Sequence, residues 1–486
     1  MSAHAPAETV GKMLIDGKMV ESEGGGWLHS VSPADETLLG RVPIGTAADM
    51  NAAVEAAERA QPAWAALPVA KRVGHLKALA DAILARREEF AVLEALDTGN
   101  TVGPMRRDVE NAVERIHFAC GLAHEIKGET IPNGGANIHM TLRVPYGVVG
   151  RIIPFNHPIG FAASRIAPVL VTGNTTVIKP SEQSPLSASL LGELCAAHLP
   201  AGTVNIVTGG LETGETLVRH PRVKRIGFIG SAATGMAIQR AAAETAVKHV
   251  TLELGGKNPL IVWPDANLDK AVAAAVSGMN FGWQGQSCGS TSRLMLHEDI
   301  HDAFVERVLE HVRAIRVGHP LNDGVTMGPI NSKAQYEKVL SYIRLGQEEG
   351  ARLIFGGSRP QGDAFERGYW VEPTIFADVA MSMRLAREEI FGPVLSILKW
   401  RDKDDVIAMA NDIDLGLTAS VWTRDLNRAL HAAQRLEAGY IWINGVGTHF
   451  RGVPYGGFKN SGVGREEGLD ELLSYTEVKA VNILLD

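Results

Sequence analysis

Cys288 stands in a stretch rich in Gly and Gln, residues 281–290, and is the side chain best suited to nucleophilic chemistry. A free cysteine is more often a small buried hydrophobe, but polar neighbours and a loop between two regular segments favour a reactive role. At an unperturbed pKa near 8.5, only about 3% of such a thiol is thiolate at neutral pH, so an activating base or field is needed. Glu253, in Thr251-Leu252-Glu253-Leu254-Gly255-Gly256-Lys257-Asn258, ends a strand-like run before a Gly-Gly turn. A carboxylate between two leucines contradicts its surroundings unless it is paired or functional.

Two further motifs bear on the chemistry. Gly285-Gln286-Ser287-Cys288-Gly289 fits G-x-S-x-G, in which Ser287 would be the nucleophile of a hydrolase. That elbow has to follow a strand and open a helix. Here an Ala-rich helix over 268–276 precedes it and a strand over 293–296 follows. A thiol or serine hydrolase using this loop is the competing reading, and it would work without a nucleotide. The second motif is Ile226-Gly227-Phe228-Ile229-Gly230-Ser231, a strand entering a Gly-Ser turn, with Gly235 opening the next helix. Such a junction aims backbone N–H groups and the positive helix end at a place where a pyrophosphate could sit. An ordinary strand–turn–helix reads the same way. There is no G-x-G-x-x-G after a strand, and Asn258 after Gly256-Lys257 excludes a Walker A loop.

These residues need a large scaffold, and 486 residues supply roughly three domain-sized units. Hydrophobic residues are 45% and charged residues 21%, an ordinary globular balance. With 47 Lys plus Arg against 55 Asp plus Glu the formal charge is −8, which argues against a nucleic-acid partner. Cys120, Cys195 and Cys288 are too few and too scattered for a disulfide framework, and no His/Asp/Glu cluster has metal-ligand spacing, so no metal is expected. Residues 1–8 lack the pattern of a signal peptide and no run approaches the length of a membrane span, so a cytoplasmic protein with no membrane partner is expected. Helical spacing marks 49–59, 70–95, 160–170, 186–198 and 235–244; strand-like runs lie at 148–153, 175–178, 204–207 and 223–229. From about Lys257 the alternation restarts, with strands at 260–262 and 293–296 and helices at 268–276 and 300–312. This repetition predicts an α/β protein with a parallel, doubly wound sheet followed by a second α/β domain. The Gly-rich patch 24–26 reads as a surface hairpin turn.

Several blocks together resemble the aldehyde dehydrogenase superfamily, from about Leu14 to Ile483. They are Pro154-Phe155-Asn156-His157-Pro158, Lys179-Pro180-Ser181-Glu182, Phe228-Ile229-Gly230-Ser231 and Leu252-Glu253-Leu254-Gly255-Gly256-Lys257. Gly285-Gln286-Ser287-Cys288, Glu388-Glu389-Ile390-Phe391-Gly392-Pro393, Pro454-Tyr455-Gly456-Gly457-Phe458-Lys459 and Ser461-Gly462-Val463-Gly464-Arg465-Glu466 follow in order. The resemblance implies an enzyme of the hydrolytic type, which oxidises an aldehyde to a carboxylic acid with NAD. Cys288 would attack the aldehyde carbon, and the Asn156 amide with the Cys288 backbone N–H would hold the oxyanion. Glu253 would activate the water that hydrolyses the thioester. A structural, crystallin-like relative would have lost Cys288 or Glu253, and neither is lost.

The same resemblance assigns the cofactor to Ile153, Pro154 and Phe155, to Lys179, Ser181 and Glu182, to Gly230, Ser231 and Gly235, and to Leu254, Glu389 and Phe391. Lys179 and Glu182 would grip the adenosine ribose, and a carboxylate there disfavours the 2′-phosphate of NADP. Glu466 matches a second carboxylate that can relay protons or cap a helix. Arg165 replaces a lysine frequent in relatives and cannot shuttle protons at neutral pH, which puts such a relay in doubt. The substrate side would include Arg107, Asn111, His157, Phe161, Ser287, His449, Arg451 and Tyr455. Gly160, Ser164 and Gly282 suggest a wide tunnel, and Arg107, His449 and Arg451 a polar or positive mouth, suited to a bulky aldehyde with an aromatic, polar or carboxylated tail. The fold implied has a Rossmann-like NAD-binding domain over 1–125 and 146–255 and a catalytic domain over 256–460. A small β oligomerisation segment would pair 126–145 with 475–486, giving a homodimer or homotetramer.

Overall fold

The structure, a computed structural model, describes residues 8–485. Residues 1–7 and 486, which the expectations above included at the two ends of the chain, lie outside the described residues. Thr46 opens the first long helix, Ala47–Ala66. Its hydroxyl accepts the Asp49 N–H while the Asp49 carboxylate accepts the Thr46 N–H, so two donors that a helix start leaves orphaned are satisfied. The expected helix over 70–95 is two helices, Val69–Ala85 and Arg87–Thr98. Arg86, at φ −102° and ψ 20°, breaks them apart and pairs with Glu89 and Glu193. The apolar stripe does not register the break, because Leu79, Ile83 and Phe90 enter one core from both sides of it. Residues 24–26 form a turn but no hairpin. Lys18–Val20 before it pairs with Met13–Ile15, and Trp27–Val31 after it pairs with Leu38–Pro43. Glycine marks a turn without saying whether the flanking strands pair.

Two large sheets carry the molecule. The first runs Gly462–Val463, His249–Glu253, Val223–Ile229, Val148–Ile152, Thr175–Lys179, Val204–Ile206, Met13–Ile15 and Lys18–Val20. Its five middle strands are parallel and the outer ones antiparallel. Thr175–Lys179 is buried at every residue, as expected where helices cover both faces. The second sheet runs Arg352–Phe355, Thr374–Ala377, Val394–Trp400, Arg293–His297, Pro259–Val262, Thr418–Trp422 and Tyr440–Ile443, and only its first strand is antiparallel. The chain is thus an α/β protein that passes from one sheet to the other between Glu253 and Pro259.

The last strand, Thr476–Ile483, pairs antiparallel with Ile138–Pro145 over eight residues, from Thr476↔Pro145 to Ile483↔Ile138, apart from both large sheets. Buried arginines tie this arm and the C-terminal turn to the first sheet. Arg151, inside the strand Val148–Ile152, crosses Gly227, where a Cβ would fall 2.0 Å from its Nη1, and reaches the Tyr475 hydroxyl at 2.9 Å and Glu466 at 3.1 Å. Glycine at 227 is therefore a steric requirement of the buried charge, not of the strand.

Candidate active site

Parallel strands end on a common edge, and side chains at those ends are placed for ligands. In register, Ile152 pairs with Lys179 on one side and Phe228 on the other, and Ile229 pairs with Glu253. A cavity of about 490 Å³ opens along this edge. Ile153, Pro154, Phe155, Lys179, Ser181, Glu182, Gly230, Ser231 and Leu254 all line it, as do Asn156, Phe161, Glu253, Cys288, Glu389 and Phe391. Gly235 is the exception among the expected cofactor residues. It lies inside the helix Ala232–Ala243 with its N–H on the Ser231 carbonyl, and a Cβ there would press on Leu254 at 2.9 Å. Its role is to let the helix approach Leu254, not to face the cavity.

The wall of this cavity is polar at chosen places. Ser231 caps the helix Ala232–Ala243 by accepting the Thr234 N–H, which leaves the first-turn donors of that helix beside the cavity. Lys179, buried, donates to half-exposed Glu182 at 2.8 Å. Burial would raise the Glu182 carboxyl, but the Lys179 ammonium overrides it and holds it below the ordinary range. Glu389, partly buried, accepts the Gly256 N–H at 2.9 Å. A Cβ on Gly255 would lie 2.0 Å from the Glu389 carboxylate, so the Gly-Gly turn is what admits it. Burial outweighs the Gly256 N–H, Lys338 and Lys257 and raises the Glu389 carboxyl. Phe391 stands at φ 58° and is held there by Gln335, whose side-chain amide donates to the Ile390 and Phe391 carbonyls at 3.0 and 2.7 Å. Gln335 and Lys338 line the cavity from the helix Lys333–Glu348, and Leu211 and Glu215 do so from Leu211–Arg219. Nothing in the spacing of those amphipathic helices distinguished these residues from solvated ones.

The cysteine loop follows the helix Leu268–Gly278 and precedes the strand Arg293–His297, which is the wrong order for a nucleophile elbow and sets Ser287 aside. Asn280 and Gln284 both take left-handed backbone, at φ 56° and 52°, a strain that persists only where the surroundings impose it. Those surroundings are explicit: Asn258 donates to the Cys288 carbonyl at 2.7 Å and to the Ser290 carbonyl at 3.0 Å. Gln286 donates to Gln284 at 2.8 Å and accepts the Asn331 N–H. The Asn156 side-chain amide donates to the Gln286 carbonyl at 2.9 Å, which fixes it against the same loop, while its oxygen has no partner. Behind it, Asn100 donates to the Asn156 carbonyl and Glu94 accepts the Ile159 N–H.

Electrostatics separate Cys288 and Glu253 from the fastened groups. Burial, with Glu389 and Glu253 nearby, pushes the Cys288 thiol up to about 12, against the Tyr455 hydroxyl 3.9 Å away and the Gly289 N–H. Glu253 is raised well above the ordinary carboxylate range by burial and then by Glu466, and neither of its oxygens takes a hydrogen bond. Glu466 is clamped by Arg151 and Arg165, and Arg165 also pairs with Glu471. A carboxylate held by two guanidiniums is placed as a fastening, and the arginine at 165 is part of it.

The expected substrate residues divide. Tyr455 adjoins Cys288, and His449 packs on Tyr455 with ring centroids 4.6 Å apart. His157 lies between Phe161 and Trp283, 5.5 Å from each. Arg451, however, is engaged by Glu114 at 2.8 Å and Asn111 at 3.4 Å, so it does not offer a free charge at a mouth. Arg107 is exposed. Ser164 lines a separate small cavity with Arg165, Glu467 and Glu471, so it does not widen the space before Cys288. Helical spacing put Ser164 on the same helix as Phe161 but could not say which face met the thiol. Among the described residues, no group of three or more His, Cys, Asp or Glu could hold a metal ion, and no helix is long and apolar enough to cross a membrane.

Comparison with known proteins fits this geometry. The model of the aldehyde dehydrogenase family matches residues 19–481. The aldehyde dehydrogenase tropH of Talaromyces stipitatus is 43% identical over 480 residues, covering 97% of this chain and 93% of that protein. The crystal structure of an NAD-dependent aldehyde dehydrogenase from Sinorhizobium meliloti superposes with a TM-score of 0.95 at 39% identity, covering 98% of this chain and 95% of that one. Betaine aldehyde dehydrogenase from Staphylococcus aureus, solved in complex with NAD+, superposes with a TM-score of 0.95 at 34% identity and the same coverage.

Proposed function

The chain belongs to the aldehyde dehydrogenase family, and from that premise we propose that it oxidises a bulky aldehyde to the carboxylic acid with NAD, through a thioester on Cys288. The observation that carries this reading is that Cys288, Glu253 and Asn156 share one cavity with the Lys179–Glu182 pair and the partly buried Glu389. The fit to a dinucleotide rests on that cavity. It has a capped helix start for phosphates at Ser231, a carboxylate at Glu182 for ribose hydroxyls and a second at Glu389 for the other ribose. The half-exposed Glu182 carboxylate would repel a 2′-phosphate, which favours NAD over NADP. When bound, the dinucleotide supplies the hydride acceptor and a positive charge in the cavity.

The chain's own residues do the remaining work. Cys288 gives its proton up to solvent, its sulfur adds to the aldehyde carbon, and the carbonyl π pair moves onto the oxygen. The Asn156 amide, already aimed at the cysteine loop, and the Cys288 N–H stabilise the negative oxygen as it forms. After oxidation the acyl group is a thioester. Glu253, unpartnered and protonated more readily than an ordinary glutamate, takes a proton from the attacking water as the acid is released. Residues 1–125 and 146–255 form the NAD-binding domain and 256–460 the catalytic domain in this reading. The arm built from 126–145 and 475–486, with Leu142, Val478 and Leu484 exposed, joins copies into a homodimer or homotetramer. Purified protein mixed with NAD and a panel of aldehydes, followed by NADH absorbance, tests the activity. NADH formation that depends on aldehyde and disappears in Cys288→Ala is expected. Turnover retained in that variant would overturn the assignment of the nucleophile.

A further inference from the structure

His157 follows Asn156 directly and begins the turn into the helix Pro158–Val171. Its Nδ1 lies 2.7 Å from the Asp108 carboxylate. A carboxylate can only accept, so Nδ1 carries a proton, and a ring with that proton alone presents the lone pair of Nε2 as an acceptor. Nε2 takes no protein partner among the described residues, and the side chain is 19% exposed. The ring is wedged between Phe161, which lines the Cys288 cavity, and Trp283 of the cysteine loop. At Gly282, next to Trp283, a Cβ would meet only the ordinary contacts of Thr326 at 3.7 Å and Pro104 at 3.8 Å. Aromatic walls, a partly exposed ring and one oriented, unused acceptor form a recognition surface. Because the cationic Arg451 is already engaged by Glu114, it offers no free charge to an anionic tail.

We propose that His157, oriented by Asp108, accepts a hydrogen bond from a hydroxyl on the substrate, so that the enzyme selects hydroxylated aromatic aldehydes. The proposal rests on the dehydrogenase reading above and names the substrate class of that site. His157 touches the substrate, and Asp108 is a positioning residue that sets which ring nitrogen carries the proton.

The test compares kcat/KM for ring-hydroxylated benzaldehydes, methoxybenzaldehydes and benzaldehyde itself. One neutral hydrogen bond predicts that the best hydroxylated isomer exceeds benzaldehyde by about fivefold to tenfold. His157→Phe, which keeps an aromatic ring in the wedge, should bring that ratio to about one. Asp108→Asn can donate to Nδ1 and move the ring proton to Nε2, so preference should shift from hydroxy towards methoxy substituents; a merely structural role would slow all three classes alike. Protection of Cys288 from alkylation by hydroxybenzoate relative to benzoate gives the same comparison without turnover. It therefore separates failure of this proposal from failure of the dehydrogenase reading, and it serves if one variant does not fold. A parent with no hydroxyl preference in either measurement would overturn the proposal. So would an unchanged ratio in His157→Phe, or a ratio that collapses in His449→Phe instead.

Discussion

Glu253 and Glu467 are both hidden from water, at 7% exposure for Glu253 and 6% for the Glu467 side chain, yet their surroundings drive them in opposite directions. At the end of the strand His249–Glu253 the carboxylate has no hydrogen bond and a second carboxylate, Glu466, as its neighbour, so its pKa is raised well above the usual range. In the C-terminal turn, burial also opposes the charge of Glu467, but Arg115 and His449 overcome it and bring the pKa down to about 2. Desolvation acts the same way at both places; the counter-charges differ. One region keeps a carboxylate uncompensated, at a cost to stability, where the proposed reaction needs a base. The other sets Arg115, Arg151 and Arg165 against its carboxylates and so fastens the C-terminal turn to the body of the molecule.

The largest expected effect breaks or upholds this contrast directly. Glu253→Gln should lower steady-state turnover by about 10²–10⁴, the usual contribution of a positioned base, with at most one NADH per site released in a burst. Its melting temperature should be unchanged or higher, because no partner is lost. Parent-like turnover would remove Glu253 from the base role. Glu467→Gln should do the reverse, destabilising the fold by roughly 3 kcal/mol, the low end for breaking a buried pair because Arg115 is 20% exposed. Denaturant titration measures it. Since the folded pKa of Glu467 lies below the unfolded value of 4.5, its stabilisation is fully present above pH 4.5 and is lost as pH falls towards about 2. The gap between parent and variant should close over that window.

A finer test uses the like charge. Glu253 must be ionised to act, so turnover should rise with pH, with its midpoint above the ordinary glutamate range. Glu466→Gln removes a group that raises Glu253 and should move that midpoint to lower pH; an unmoved profile would uncouple the two regions. Glu253 also holds its proton more tightly folded than unfolded, so its contribution works against stability as pH rises above 4.5. The smallest effect belongs to the half-exposed Lys179–Glu182 pair, which lies between the two extremes. Glu182→Gln should narrow the preference for NAD over NADP by about fivefold, the size of a screened interaction near 1 kcal/mol. A parent that prefers NADP would defeat this.

Most elements were legible because apolar period and punctuation are local. The strand Val223–Ile229 and the helix Leu186–His198 fall where the sequence places them. Arg86 was not legible as a break, since a non-helical ψ at one residue leaves the apolar stripe intact. The candidate site residues were chosen by type and block, and nearly all of those expected to hold a cofactor line one cavity. Gly235 was assigned to the ligand when its missing side chain serves helix packing, and Gln335 was overlooked because an exposed-looking helix residue carries no sign of the carbonyls it will meet.

The sequence by itself determined the α/β alternation, the thiol in its loop, the carboxylate at a strand end and the family those blocks belong to. Each depends on residue types at short spacing. Only the tertiary structure decided which charges are free. Glu466 meets Arg151 across 315 positions of sequence, Glu471 meets Arg165 across 306, and Arg451 meets Glu114 across 337. Ionisation depends on burial and on charges within a few ångströms, and both arise only when distant strands and helices close around a site.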